Sequence, residues 1–141
     1  MRTLILFDAE LQYRGPVAPD SPFRGAGSPV GAGDGIASGG RIRGRIRWSL
    51  FENTTRASLC EANHVGVIET QDGARIEFSS LGYFRRLNGN GPNQWTLLAA
   101  LRFETQDQRY ALLNSVEGIL EGEFDMDTGR TQARAYARVR D

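Results

Sequence analysis

The chain contains no lysine: its 17 basic residues are all arginine, set against 17 acidic ones, and the formal net charge is zero. A balanced surface of this kind excludes the broad basic face that nucleic acids or anionic membranes require, so neither is expected as a partner. Cysteine is scarce. Cys60 stands alone, so no internal disulfide is available, and in the apolar stretch Ala57–Cys60 it reads as a small buried hydrophobe. No CxxC and no Cys/His cluster is present, which excludes a zinc site. Long apolar runs are missing too. Met1–Phe7 is briefly apolar and is followed by Asp8 and Glu10, so it reads neither as a signal peptide nor as a membrane span, and the cytoplasm is the expected location. There is no G-x-S-x-G elbow, P-loop or dinucleotide fingerprint, and no metal or other cofactor is expected.

The 141 residues suit one domain, large enough to bury roughly two thirds of its unfolded surface without a staple. Period-two alternation dominates the chain, the mark of strands buried on one face. It runs over Phe7–Tyr13, over Arg41–Leu50 with arginines at 41, 43, 45 and 47 on the outer face, and over Trp95–Thr105. Shorter stretches at Arg56–Glu61, Ser115–Phe124 and Thr131–Val139 read as strands as well. Asn63–Thr70 and Ala74–Gly82 form a hairpin about Asp72-Gly73, a dipeptide suited to a two-residue primed turn. That turn pairs Val67 with Phe78, puts Val65, Val67, Ile76 and Phe78 on the inner face, and turns His64 outward; a slip of one residue would turn His64 inward. Residues 14–40 hold four of the five prolines and much Gly and Ser, and read as one long loop, as does Tyr83–Asn93. Asp107 can cap a short helical turn over Gln108–Asn114. About eight antiparallel strands and one helical turn imply an all-β fold, a single barrel that removes its own edges by closing.

Three segments resemble the domain of unknown function 3237 family, also called uncharacterised protein family 0311. Phe103-Glu104-Thr105 through Arg109-Tyr110-Ala111-Leu112-Leu113-Asn114 is similar to its F-E-T-G-x-x-R-Y-x-W-L-N signature. Gln71-Asp72-Gly73-Ala74-Arg75-Ile76 resembles its D-D-G-x-x-I hairpin, and Gly39-Gly40-Arg41-Ile42-Arg43-Gly44 its G-G-R-F-x-G segment. The resemblance implies a calycin-like antiparallel β-barrel that forms homo-oligomers. It implies no reaction. The chain departs from the family pattern at Asn63 and Val65, where an acid and an arginine are common, at Leu81, where a basic residue or histidine stands, and across Glu52–Thr55.

The faces assigned to the interior set small residues (Gly44, Ala99, Gly118, Gly122, Ala133, Ala135, Ala137) against large aromatic ones. Two readings follow. The small and large side chains interlock and fill the barrel, or the aromatics wall an apolar cavity for a small molecule. On the second reading Trp48, Phe78, Ser80, Tyr83, Trp95 and Phe103 would bind an apolar or aromatic substrate, with His64, Asn63 and Glu104 as catalytic candidates. His64 is the only histidine and the natural acid or base at neutral pH. A cofactor-free isomerase, cyclase or lyase would suit such a site; a non-catalytic ligand-binding barrel and a structural homo-oligomer are the alternatives. Tyr110 and Asn114, four apart, are expected to pin the helical turn to the barrel.

Overall fold

A computed structural model of the chain describes residues 1–15, 31–51, 55–56, 59–87 and 93–140. The strands are β1 (Arg2–Gly15), β2 (Gly31–Ser38), β3 (Gly44–Phe51), β4 (Thr55–Arg56), β5 (Leu59–Glu61), β6 (Asn63–Thr70), β7 (Arg75–Arg86), β8 (Gln94–Glu104), β9 (Glu117–Asp125) and β10 (Arg130–Val139), with one 3-10 helix at Gln108–Ser115. All pairings are antiparallel. The order β7-β6-β3-β2-β1-β10-β9-β8 is closed by β8 pairing back onto β7, which makes an eight-stranded barrel. The small β4–β5 pair continues from β7 beyond the end of β6. Among the described residues no helix is long and apolar enough to cross a membrane.

The expected total of eight strands holds, but its membership changes. Residues 31–38, expected within the loop, form barrel strand β2, whose inner positions recur at period two as Gly31, Gly33, Gly35 and Ala37; Gly31 and Gly33 leave room for the rings of Tyr13 and Trp48 on the neighbouring strands. Arg56–Glu61, expected as one strand, is split between β4 and β5 and adds none to the barrel. β7 runs on to Arg86, through part of the segment expected as the Tyr83–Asn93 loop. β1 starts before Phe7 and carries a bulge between Ile5 and Phe7. The bulge buries both Leu6 and Phe7 and breaks the alternation there, as an extra residue in one strand must. Residues 16–30 of the expected loop lie outside the described residues.

The β6–β7 hairpin differs by one residue. Thr70 N–H donates to Ala74 O at 2.9 Å and Gly73 N–H to Thr70 O at 3.1 Å, so the loop is Gln71-Asp72-Gly73. Only Gly73 takes a positive φ, +88°. This is a turn closed by a left-handed glycine, not a primed turn with both central residues left-handed. Ile68 therefore faces Ile76 and Gly66 faces Phe78. The inner face of β6 is His64, Gly66, Ile68 and Thr70, so Val65 and Val67 move to the outer side and His64 moves in. Val67 is buried all the same, in register between Arg47 and Glu77.

Inside, large rings lie over glycines on adjacent strands. A Cβ on Gly66 would stand 2.3 Å from the Phe78 ring, one on Gly33 2.4 Å from Trp48, and one on Gly31 2.5 Å from Tyr13. Phe7 meets Phe103 edge-on at 6.4 Å. Rings and glycines of adjacent strands thus interlock inside the barrel.

Two of the family-like segments, Phe103–Asn114 and Gln71–Ile76, meet at one end. Asn114 clasps the backbone of Thr105, accepting from its N–H at 2.8 Å and donating to its carbonyl at 2.9 Å. Thr105 Oγ1 donates to Arg75 O at 2.8 Å. The Tyr110 hydroxyl donates to Asp72 at 2.8 Å, Arg109 donates to Asp72 O at 2.9 Å, and Asp107 accepts from Arg109 N–H as the helix cap. Leu113 drops into the core and plugs this end. The expected pinning role of Tyr110 and Asn114 is what the geometry shows.

Asn114→Ala should leave the Thr105 backbone groups unpaired and destabilise the fold by about 1–3 kcal/mol in urea melts, with hydrogen exchange rising first at Thr105. Gly66→Ala should overpack the barrel and destabilise by about 1–3 kcal/mol; adding Phe78→Leu should recover part of the loss, because the ring is one of the obstacles.

Candidate functional site

The other end of the barrel gathers most of its buried chemistry. A continuous chain of rings crosses it: Tyr13 to Trp48 at 6.1 Å, Trp48 to His64 at 5.3 Å, His64 to Phe84 at 5.9 Å and Phe84 to Phe124 at 5.5 Å. Trp95 stands in register between Arg86 and Phe124, and the Arg86 guanidinium lies 5.3 Å from the Trp95 ring centre. Alternation places these groups: Ser80, Gly82, Phe84 and Arg86 share the inner face of β7.

Three N–H groups here are buried without a hydrogen-bond acceptor: the indole Nε1 of Trp48, that of Trp95, and Arg86 Nε. Arg86 has no carboxylate partner among the described residues. Buried donors in a folded protein are nearly always satisfied, and each one left bare needs an explanation. The Arg86 guanidinium lies beside the Trp95 indole, and these two groups offer donors only; the Trp48 indole adds a third bare donor at the same end.

His64 lies within this wall. Ser80 Oγ accepts from the His64 backbone N–H at 3.0 Å, donates to Ala62 O at 3.0 Å and stands 3.0 Å from Nδ1. With the hydroxyl proton given to Ala62, Nδ1 is assigned the ring proton and Nε2 the lone pair. Burial pushes the His64 pKa down to about 4, opposed in part by a hydrogen bond to the Ala62 carbonyl. The ring is therefore neutral at pH 7.

Trp48, Trp95, Ser80 and His64 are brought together, the last against the outward orientation expected of it. Phe78 and Phe103 are paired across β7 and β8; Phe103 is buried, Phe78 is partly buried against the core with its ring over Gly66, and neither belongs to the ring chain. Asn63 is turned to the outer side by the register; it reaches Glu61 at 3.4 Å, and its Oδ1 is buried without a partner. Tyr83 stands on the outer wall, 51% exposed. Glu104 is also on the outer wall, directly opposite Glu77, in an open groove of about 880 Å³ bordered by Arg75, Arg102 and Glu117. A second outer groove of about 750 Å³ is lined by Arg14, Asp34, Arg45, Arg47 and Glu69. Charges in both grooves answer one another, with Arg102–Glu117 at 3.4 Å, Arg14–Asp34 at 3.3 Å and Arg47–Glu69 at 2.7 Å. Exposed pairs of this kind contribute little to stability. Cys60 is half-buried against the core.

Phe84, Arg86, Phe124 and Tyr13 were not among the residues the sequence singled out for the site. The signal for the first two was available: the β7 alternation continues unbroken past Gly82 into the segment that reads as a loop.

No protein-family model and no curated protein sequence matches the chain. Solved structures do. A β-barrel-like protein from Acinetobacter baumannii matches with a TM-score of 0.70 at 16% identity, over 96% of this chain and 94% of that one. A protein of unknown function from Clostridium acetobutylicum matches with a TM-score of 0.70 at 15% identity, over 99% and 100%. A conserved protein of unknown function from Rhodopseudomonas palustris matches with a TM-score of 0.69 at 15% identity, over 96% of each. At such identity the likeness shows the fold alone.

The buried histidine has a consequence for pH. Its folded pKa is below the unfolded value of 6.5, so between about pH 6.5 and about 4 the unfolded chain binds a proton that the folded chain refuses. Stability should therefore fall as the pH is lowered through that window, by on the order of 3 kcal/mol, and then level off in this contribution. Urea melts of the wild type and of His64→Phe across the window check this; the variant should lose most of the slope.

Proposed function

We propose that the aromatic end of the barrel binds a small, planar, apolar or aromatic molecule carrying an acceptor oxygen, a carboxylate or enolate above all. The observation that carries this reading is the set of three buried, unanswered N–H donors at Trp48, Trp95 and Arg86, set among rings suited to hold a flat ligand. A carboxylate placed there would satisfy donors that the protein leaves bare, and Arg86 would supply the charge. The same reading takes the chain as a divergent member of the domain of unknown function 3237 family, on the F-E-T to R-Y and L-N segment.

A second reading is favoured by one observation, the His64–Ser80 contact. His64 Nε2 could move a proton on a bound substrate, as a cofactor-free isomerase, cyclase or lyase would need. A pKa of about 4 makes it a weak base at neutral pH, so it serves better as a hydrogen-bond acceptor that orients a hydroxyl. Binding without turnover is the reading preferred here.

Isothermal titration with 1-naphthoate and with uncharged 1-naphthylmethanol tests this. The carboxylate should bind more tightly, and Arg86→Met should weaken it about tenfold or more while changing the alcohol little. Absence of heat with either ligand would overturn the proposal. Proton exchange or rearrangement of the bound compound, followed by nuclear magnetic resonance, would instead favour the enzyme.

A further inference from the structure

The outer wall over β7, β8 and β9 is organised in cross-strand rows: Ser79–Arg102–Glu117, Leu81–Ala100–Ile119, Tyr83–Leu98–Glu121 and Arg85–Thr96–Glu123. Leu81, Tyr83 and Leu98 are 71%, 51% and 60% exposed. The two middle rows thus make a contiguous apolar patch on a wall that is otherwise polar, and such patches mark contact sites.

We propose that this face docks a second copy of the chain about a two-fold axis running along β8. An axis in that direction lays β7 of one copy on β9 of the other, so every row meets itself reversed. Leu81 then packs on Ile119 of the partner subunit. Tyr83 brings its hydroxyl to Glu121 of the partner subunit. Arg85 faces Glu123 of the partner subunit, and within one chain neither Arg85 nor Glu123 has an ion-pair partner among the described residues. Arg102, near the axis, is already held by its own Glu117 at 3.4 Å. The barrel wall curves away on either side of β8. In the Leu81 row the crest residue is the small Ala100 and the flanking residues are long, which lets two convex walls close on one another. An axis across the strands would lay β9 on β9 and oppose its glutamates; the axis along β8 opposes Arg102 to its own copy, but it alone brings Arg85, without an ion-pair partner among the described residues of its own chain, to Glu123 of the partner subunit, which selects it.

Sedimentation velocity on the full chain tests the proposal. The wild type should sediment as two chains, and Leu98→Glu as one. Arg85→Glu and Glu123→Arg should each raise the dissociation constant about tenfold or more, and the two together should restore it, because the pair is rebuilt with its signs exchanged. Circular dichroism checks that each variant folds; if Leu98→Glu does not, the charge exchange decides alone. A single chain at every concentration, an assembly larger than two, or failure of the double variant to recover would overturn the proposal. So would a single chain that floats with phosphatidylcholine vesicles, which would assign the patch to a lipid surface.

Discussion

The turn at Gln71–Gly73 sets the register of β6 against β7, and most of what the interior contains follows from it. Because Gly73 alone takes the left-handed conformation, Thr70 pairs with Ala74 and Ile68 with Ile76. That choice brings His64 inside between Trp48 and Phe84 and sets Gly66 beneath the Phe78 ring. The turn is held by groups outside it. Asp72 accepts from the Thr70 and Tyr110 hydroxyls. The Thr70 hydroxyl first, then that of Tyr110, keep its carboxyl below the usual carboxylate range. The register is thus fixed jointly by a local backbone preference and by a helix 38 residues away in sequence.

The two ends of the barrel are chemically unlike. At one, the 3-10 helix and its hydrogen bonds satisfy nearly every polar group, and the residues that carry the family resemblance act as architecture. At the other, the N–H groups of Trp48, Trp95 and Arg86 lack acceptors, and a chain of rings from Tyr13 to Phe124 crosses the barrel. A closed eight-stranded barrel has little free volume at its middle; here rings seat on glycines of adjacent strands, Phe78 on Gly66 within the barrel and Trp48 and Tyr13 on Gly33 and Gly31 toward the aromatic end. The buried N–H groups of Trp48, Trp95 and Arg86 that lack an acceptor lie at the aromatic end. The outer wall divides similarly. Ion pairs such as Arg14–Asp34 and Arg47–Glu69 tie charges across β1, β2, β3 and β6, and an apolar patch crosses β7, β8 and β9.

Alternation of apolar and polar residues was enough to read the fold class, the barrel, and strands β1, β3, β8, β9 and β10 from the chain, because period two is a local property of a half-buried sheet. The helix cap at Asp107 was legible for the same reason, since it acts on Arg109 two residues on; Tyr110 and Asn114 could be named from their spacing on one helical face, but the partner of Tyr110, Asp72, lies 38 residues away and was not legible. Strand β2 was not, since Gly31, Gly33 and Gly35 show no apolar alternation; their meaning lies in the rings of Tyr13 and Trp48 that cover them from the next strands. Among the candidate residues, Trp48 and Trp95 could be named from the sequence because alternation alone turns them inward. The orientation of His64 and Asn63, the place of Tyr83 on the outer wall, and the meeting of Arg86 with Trp95 were decided only by the tertiary structure. They depend on register between strands, and one residue of slip in a turn exchanges the inside of a strand for its outside.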